Sequence, residues 1–337
     1  MPDLLIVGGG PVGLAAAIEA RLAGLSVTVI EPRQGAIDKA CGEGLMPGAV
    51  PLLARLGVEP RGIPLRGVSY RDGQRVADHA FVTGSGLGVR RTELHAVLHN
   101  RAIELGARFA YEKVDALENH PDHVEAAGLT AEWMLACDGL HSTVARLAGL
   151  DRPAPAGRRR YGLRRHYRVS PWSDRIEVHW YRLGELYVTP VDEQTVGVAL
   201  LARQHTDLEQ ALAASPALAS RVNGAEHASE LRGAGPLRQQ RSARSRGRIL
   251  LVGDASGYVD AITGEGLRLG FDQARAAIAA ITTGSDYERE WMRITRDFRV
   301  LTSGLALAAS SPLRGAIVPL SSALPGVYGR AVEALAR

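Results

Sequence analysis

Residues 3–33 read DLLIVGGGPVGLAAAIEARLAGLSVTVIEPR. The apolar run Leu4–Val7 predicts a buried strand. Gly8, Gly10 and Gly13 follow in the spacing GxGxxG, with Pro11 and Val12 inside the turn. A helical pattern then puts Leu14, Ile18 and Leu22 on one face, Gly24 stops the helix, and SVTVIE predicts a second buried strand ending at Glu31. Each glycine has a task. Gly8 makes the tight turn, Gly10 lets backbone approach a pyrophosphate, and Gly13 lets helix and strand pack closely. The helix N-terminus offers free N–H groups and partial positive charge to phosphates. Glu31 is placed to accept from ribose hydroxyls, which argues against a 2′-phosphate. Strand, helix, second strand and acid in register predict a βαβ unit that binds an adenine dinucleotide.

A second strand–turn–helix lies at 249–271, ILLVGDASGYVDAITGEGLRLGF. A second dinucleotide site fails there on chemistry, because Asp254 would repel phosphate where the backbone should meet it. An acid at a strand tip suits a hydroxylated chain, such as the ribityl chain of a flavin. TGEGL then opens a helix whose N-terminus suits the flavin pyrimidine edge, where negative charge gathers on reduction.

The chain's 337 residues allow one large domain or two ordinary ones, and 46% apolar content makes it globular. The formal charge is only +4, and the lysines are Lys39 and Lys113, so the basic charge is almost all arginine. The dense cluster GRRRYGLRRHYR at 157–168 alternates like a strand and reads as a solvated sheet face rather than a nucleic-acid stripe. Cys41 and Cys137 stand alone, with no metal-type spacing, so neither a disulfide framework nor a metal site is expected. The start MPDLLIVGGG has no basic n-region, which predicts no secretion and a cytoplasmic protein. No run of 18 apolar residues exists. The C-terminal stretch VLTSGLALAASSPLRGAIVPLSSALPGVYG is apolar but broken by Pro312, Arg314, Pro319 and Pro325. It suits covering a greasy cavity or making peripheral membrane contact.

Between these landmarks, 34–57 reads as a Gly-rich loop and short helix, followed by short alternating segments to Gly88. VRRTELHAVLHNRAIELGARF predicts a helix with Leu94, Val97, Leu98, Ala102 and Leu105 on one face. EWMLACDGLHSTVARLAGL is a strand, the turn Cys137-Asp138-Gly139, then a helix. YGLRRHYRV, RIEVHWY, ELYVTP and TVGVALL predict an antiparallel sheet, and 206–223 a helix. Leu267, Phe271, Ala274 and Ile278 form the inner face of the later helix.

Three motifs in order, GxGxxG with Glu31, CDG at 137–139 and GD at 253–254, resemble the p-hydroxybenzoate-hydroxylase-like FAD superfamily over about residues 1–283. That group holds aromatic flavoprotein monooxygenases, geranylgeranyl reductases and flavin-dependent halogenases. DKACGEGL and GDASGYVDAITGEGL look most like the geranylgeranyl-reductase branch and monooxygenases near it. The resemblance implies an α/β fold: an FAD-binding, three-layer Rossmann-like domain, an inserted antiparallel sheet for substrate, and a C-terminal helical segment. The implied FAD domain is discontinuous, 1–62, 89–153 and 236–283; the sheet domain takes 63–88 and 154–235, and the helical segment 284–337.

The resemblance also implies roles. Gly8, Gly10 and Gly13, with Pro11 and Val12, hold the pyrophosphate, and Glu31 with Arg33 the adenosine. Arg91 reaches the phosphates or ribityl chain, Val114 meets adenine through its backbone, and Asp254 after Gly253 binds the ribityl hydroxyls. Gly264, Gly266 and Leu267 lie against the isoalloxazine, as do Cys41 and Gly42, and Asp138-Gly139 supports FAD and often NAD(P)H. Both Gly-rich turns then serve one FAD, and NAD(P)H binds only transiently, unless another protein delivers reduced flavin.

No catalytic residue is assigned. Cys41 is a reactive thiol or a small residue packed on the ring, and the want of a resolving Cys favours packing. Glu43 is a general acid or a solvated loop acid, and Glu265 a flavin-side acid or, better, a capping residue. Tyr187 and Pro190 match the strand that lines the substrate cavity in this superfamily, against ordinary sheet packing. The favoured activity is an NAD(P)H-dependent monooxygenase on a hydrophobic aromatic or polyketide-like molecule. The alternative is a geranylgeranyl-reductase-like enzyme reducing double bonds of an isoprenoid. ELYVTP, standing where the reductases show YxWxFP, weighs against that alternative. Halogenases use a cavity lysine, and neither lysine sits in a matching motif. A non-catalytic flavin-binding protein is the third reading.

Overall fold

The computed structural model describes residues 1–153, 159–203 and 205–337. β1 (Leu4–Val7) is fully buried because it has neighbours on both edges and cover on both faces. It pairs in parallel with β2 (Val27–Ile30) on one side and with Trp133–Ala136 on the other. Ile249–Leu251 extends the sheet beyond Trp133–Ala136, and Arg108–Ala110 extends it beyond β2. A short antiparallel strand, Ser245–Arg246, closes the edge.

Between β1 and β2 runs α1 (Pro11–Leu22), with Pro11 at its first turn, where no N–H is needed. Leu14 and Ile18 are fully buried, whereas Leu22, expected on their face, is exposed. A four-residue step drifts about 40° around a helix, so Leu22 sits about 80° from Leu14. α2 (Val50–Leu56), α3 (Arg91–Glu104) and α7 (Gly266–Thr283) pack with α1 on this face of the sheet. The other face carries a three-stranded meander, Leu117–Asn119, Val124–Ala126 and Leu129–Ala131, whose Val124, Ala126 and Ala131 pack on Leu5 and Met134. Helices, parallel sheet and meander are the three layers.

A seven-stranded sheet runs in the order Arg232–Ala234, Arg160–Arg168, Thr195–Arg203, Gly184–Asp192, Arg175–Tyr181, Gly67–Arg71, Val76–Ala80. Its neighbours are antiparallel except Gly67–Arg71 beside Arg175–Tyr181. The basic strand is not solvated as expected. Arg160 and Arg164 are buried, Arg160 against Glu185 and Asp260, and Arg164 against Asp38. Alternation identified the strand, but acids from distant segments decided which face went inward; residues 157 and 158 of that cluster lie outside the described residues. The helix expected over 206–223 is two, α5 (Leu208–Ala213) and α6 (Pro216–Val222), because Pro216 cannot continue the first. The helix after Cys137-Asp138-Gly139 is the short α4 (Thr143–Leu147).

α8 (Tyr287–Ala309) lies on α7 and is pinned by two buried bonds. Tyr287 donates to the Leu251 carbonyl at 2.7 Å, and Trp291 Nε1 to Ser256 Oγ at 2.8 Å. α9 (Ile317–Ala323) and α10 (Pro325–Ala336) then fold back over Gly67–Arg71 and Val76–Ala80. Tyr328 packs on Tyr70 with ring centroids 4.9 Å apart. No helix among the described residues is long and apolar enough to cross a membrane.

Candidate cofactor and substrate cavity

One cavity of about 680 Å³ runs from the turn after β1 to α10, between the parallel sheet and the seven-stranded sheet. Its near end is set by the glycines. A Cβ at Gly13 would stand 1.9 Å from the Gly8 carbonyl oxygen, so this position serves strand–helix packing. At Gly10 the nearest atom to a Cβ is Arg91 Nη2, at 3.8 Å. Nothing in the protein fills that space, and the free N–H groups at the start of α1 border it.

Glu31 stands at the tip of β2, as its spacing predicts. Its Oε2 accepts from Gly9 N at 2.9 Å, and Arg33 donates from Nε to Oε1 at 2.7 Å and from Nη2 to Oε2 at 3.0 Å. Burial pushes the carboxyl up, but Arg33 and the Gly9 amide outweigh it and hold it below its ordinary value. With the Arg33 amide also donating, the acceptor sites are nearly full, so a ribose hydroxyl here competes with the half-exposed Arg33 guanidinium.

Three cations crowd the same end. Arg33 and Arg91 flank Lys39, whose pKa is held down first by burial and then by these two arginines. Glu31 and Asp254 pull it back up only in part. Such crowding suits a polyanionic guest. Lys39 lines the cavity; the sequence reading considered it only for a halogenase role. Its signal was its place two residues before Cys41.

Asp254 lines the cavity beside Gly266, and its carboxylate makes no hydrogen bond to the protein among the described residues. Burial raises its pKa, opposed by Arg91 and Lys39. An acceptor left free beside a cation-lined groove is what a hydroxylated ligand needs. The donor set, the open space at Gly10 and the unused Asp254 therefore fit FAD. Asp138 differs: its Oδ2 accepts from Val144 N at 3.0 Å at the start of α4, while Oδ1 is buried without a partner among the described residues. Gly139 is in the wall, 3.7 Å (from a Cβ placed there) to Lys39 Nζ.

The stretch 39–44 forms one wall with Cys41, Gly42 and Glu43. Glu43 is not a solvated loop acid. It is 4% exposed, with a positive φ of 57°. That backbone costs about 1 kcal/mol in a non-glycine residue and persists only when surroundings impose it. They do so here: Oε1 accepts from Arg91 N at 2.8 Å, and Oε2 pairs with His166, itself fully buried. Arg164 donates to His166 Nδ1 at 3.1 Å, so Nε2 carries the proton given to Glu43. Sequence reading left His166 unplaced, because its partner is 123 residues away.

The far end is apolar, walled by Met46, Val68, Ile176, Val178, Leu237 and Ile262, with Val332 and Leu335 of α10 closing it. Tyr187 lines it and donates to the Ile262 carbonyl at 3.1 Å. Tyr258 lines the cavity nearer Asp254, packed on Gly266, with no protein partner for its hydroxyl among the described residues. Burial raises the pKa values of Tyr70, Tyr187 and Tyr258, so these phenols stay neutral.

Gly8, Gly10, Pro11, Val12, Glu31, Arg33, Arg91, Gly264, Gly266 and Leu267 also belong to the wall. Gly13, Val114, Pro190, Gly253 and Glu265 do not. Val114 packs in the core beside Ile30 and Val124. Pro190 turns its carbonyl towards Gly88. Glu265 precedes α7 but makes no capping bond; it is 1% exposed and paired with Arg268. Burial lifts its carboxyl to about 7, with Arg268 opposing. Outside the cavity, His120, His123 and Glu125 bring ligand atoms within 4.8 Å of one another on the meander, a grouping the Cys and His spacing did not reveal.

A family model described as an FAD binding domain matches residues 1–284. Menaquinone reductase of Mycolicibacterium smegmatis is 27% identical over 338 residues, covering 88% of this chain and 80% of that protein. A 12-dehydrotetracycline 5-monooxygenase/anhydrotetracycline 6-monooxygenase of Streptomyces rimosus is 32% identical over 167 residues, 45% of this chain and 33% of the relative. Among solved structures, a flavoprotein/dehydrogenase from Cytophaga hutchinsonii matches with a TM-score of 0.85 at 18% identity, covering 99% of this chain and 92% of that one. That likeness shows the fold alone.

Proposed function

Because this chain belongs to the FAD binding domain family and is an FAD-dependent oxidoreductase, we propose that it reduces a carbon–carbon double bond in a lipophilic, isoprenoid-like molecule. NAD(P)H is the transient electron source in this reading. The observation that carries it is the continuity of the cavity: the cation-lined groove opens straight into an apolar chamber. Tyr70, Tyr187 and Tyr258 stand in the wall with burial-raised pKa values, so they enter the chamber as neutral phenols. Alignment across 88% of the chain with a reductase supports the same choice, since it includes the substrate half.

FAD, when bound, supplies the hydride that adds to one carbon of the double bond. The protein's tasks are the rest. Lys39, Arg33 and Arg91 balance the diphosphate, and Asp254 accepts from the ribityl hydroxyls. Met46, Val68, Ile176 and Ile262 exclude water and hold the alkene by burial. Tyr258, whose hydroxyl has no protein partner among the described residues, gives a proton to the second carbon and regains one from solvent. The balance is NAD(P)H plus a proton plus the alkene, giving NAD(P)⁺ and the saturated product.

The second reading is the hydroxylation of an aromatic or polyketide-like molecule, favoured by the 167 residues shared with the tetracycline monooxygenase. One experiment separates them. The purified yellow protein is incubated under argon with NADPH or NADH and menaquinone, and the product is weighed by mass spectrometry. A gain of two hydrogens that survives re-oxidation of any quinol in air, and that fragmentation places in the side chain, supports the reductase. A product formed only in air and carrying ¹⁸O from labelled dioxygen overturns it.

A further inference from the structure

We propose that the outer surface of the C-terminal layer is a docking face for an anionic lipid bilayer. The argument begins with charge. Residues 300–329 contain one charged side chain, Arg314. It points inward, donating to the carbonyls of Tyr181 and Arg182 at 3.2 and 2.8 Å and to Glu185 at 3.0 Å. The surface of this stretch therefore offers water no charge at all.

Apolar side chains take the place of charge. The layer already buries an apolar inner face through Ala309, Val318, Tyr328 and Val332. Its outer side then exposes Leu307, Leu313, Leu320, Leu324 and Val327, each more than half open to solvent. These five come from consecutive elements that pack on one another: the end of α8, the turn 312–316, α9 and the start of α10. A surface helix has a polar outer face; an outer face of leucine at a run without charge marks an interaction site.

The rim decides the occupant. Arg182, Arg203 and Arg330 border the patch: the Arg182 carbonyl takes a bond from Arg314, Arg203 donates to the Ser310 carbonyl at 3.4 Å and Arg330 to the Gly326 carbonyl at 3.2 Å, and none of the three has an acidic partner among the described residues. Glu333 is the acid of the last 38 residues, and it is engaged by His79 at 2.8 Å. A second copy docked face to face would set one arginine rim against the other, and like charges would oppose it. A bilayer with anionic headgroups meets both features, taking up leucines at the acyl boundary and neutralising arginines above it.

The position also gives the face a use. Val332 and Leu335 of the same layer close the apolar end of the cavity. A lipophilic substrate can pass from the bilayer to the chamber across one layer of helix. This use rests on the proposed reduction of a lipophilic molecule; the docking itself does not.

The test uses the FAD-loaded protein and sedimentation with vesicles of phosphatidylcholine, alone or with about one quarter phosphatidylglycerol. The wild type should pellet with the anionic vesicles and be released by added salt. Leu320→Asp/Leu324→Asp should keep its FAD content and lower the bound fraction about tenfold. Arg203→Gln/Arg330→Gln, which leaves the leucines in place, should weaken binding to anionic vesicles several-fold and leave the weak binding to neutral ones unchanged. Wild type that stays in the supernatant with both vesicles overturns the proposal, as does equal binding by the Asp variant. A wild-type dimer in velocity sedimentation that the Asp pair converts to monomer overturns it in favour of a second copy. Because no turnover is measured, failure here is distinct from failure of the reductase reading.

Discussion

Gly10 and Gly13 are three residues apart in one motif, yet they should fail in different ways when replaced by alanine. At Gly13 the new methyl lies 1.9 Å from the Gly8 carbonyl oxygen. That oxygen is backbone, locked between β1 and α1, so the clash is relieved only by pushing helix from strand. Overpacking of this kind costs about 3 kcal/mol or more. For a chain of this size that lowers the melting temperature by about 4 °C or more. Gly10 has φ −72° and ψ 174°, which alanine adopts freely, and its methyl meets no protein atom closer than 3.8 Å. A small loss at the helix N-cap and a small gain from a stiffer unfolded chain nearly cancel, leaving stability within about 0.5 kcal/mol. The methyl instead occupies the space where a pyrophosphate must approach the N–H groups of α1. Losing one charge-assisted hydrogen bond there costs about 1.5–3 kcal/mol, so the FAD dissociation constant rises about 10- to 150-fold. Thermal melts of the apoproteins and a fluorescence titration with FAD measure both effects. Unchanged FAD affinity in Gly10→Ala would place the pyrophosphate elsewhere. A Gly13→Ala apoprotein as stable as wild type would refute the packing argument.

Asp254→Ala should weaken FAD binding about 10- to 150-fold by removing an acceptor for ribityl hydroxyls, and Asp254→Asn should do less harm because its amide oxygen still accepts. Tighter binding by either variant in the same titration would mean the carboxylate faces phosphate. Glu265 tests burial: its folded carboxyl sits at about 7 against an ordinary 4.5. The folded state thus favours the protonated form, so this contribution is full below pH 4.5 and fades as pH rises to 7. Urea melts should show Glu265→Gln gaining about 3 kcal/mol on wild type between those pH values, at ~1.4 kcal/mol per pH unit. Parallel pH profiles for the two proteins would show that Glu265 ionises freely in the fold.

Much of the cofactor end was legible in the sequence because its signals are local. Strand, turn, helix and acid at residues 4–31 follow from period, glycine spacing and a charged strand tip, each set within a few residues. The same holds for the turn at Asp254, where strand, glycine and acid are adjacent in the chain. Glu43 could not be read this way. As a lone acid in a Gly-rich loop it suits water, and only the strand Arg160–Arg168 arriving over it, with His166, buries it. The arginines of that strand misled for the same reason. Period two says which residues share a face, not whether acids from residues 38, 185 and 260 will meet that face. Lys39 and Tyr258 joined the site through cavity closure, which brings together segments more than 200 residues apart. In the C-terminal layer composition foretold an apolar cover, while tertiary packing alone divided its leucines from its buried residues, because a helix apolar on both sides carries no periodic mark of which side finds a partner.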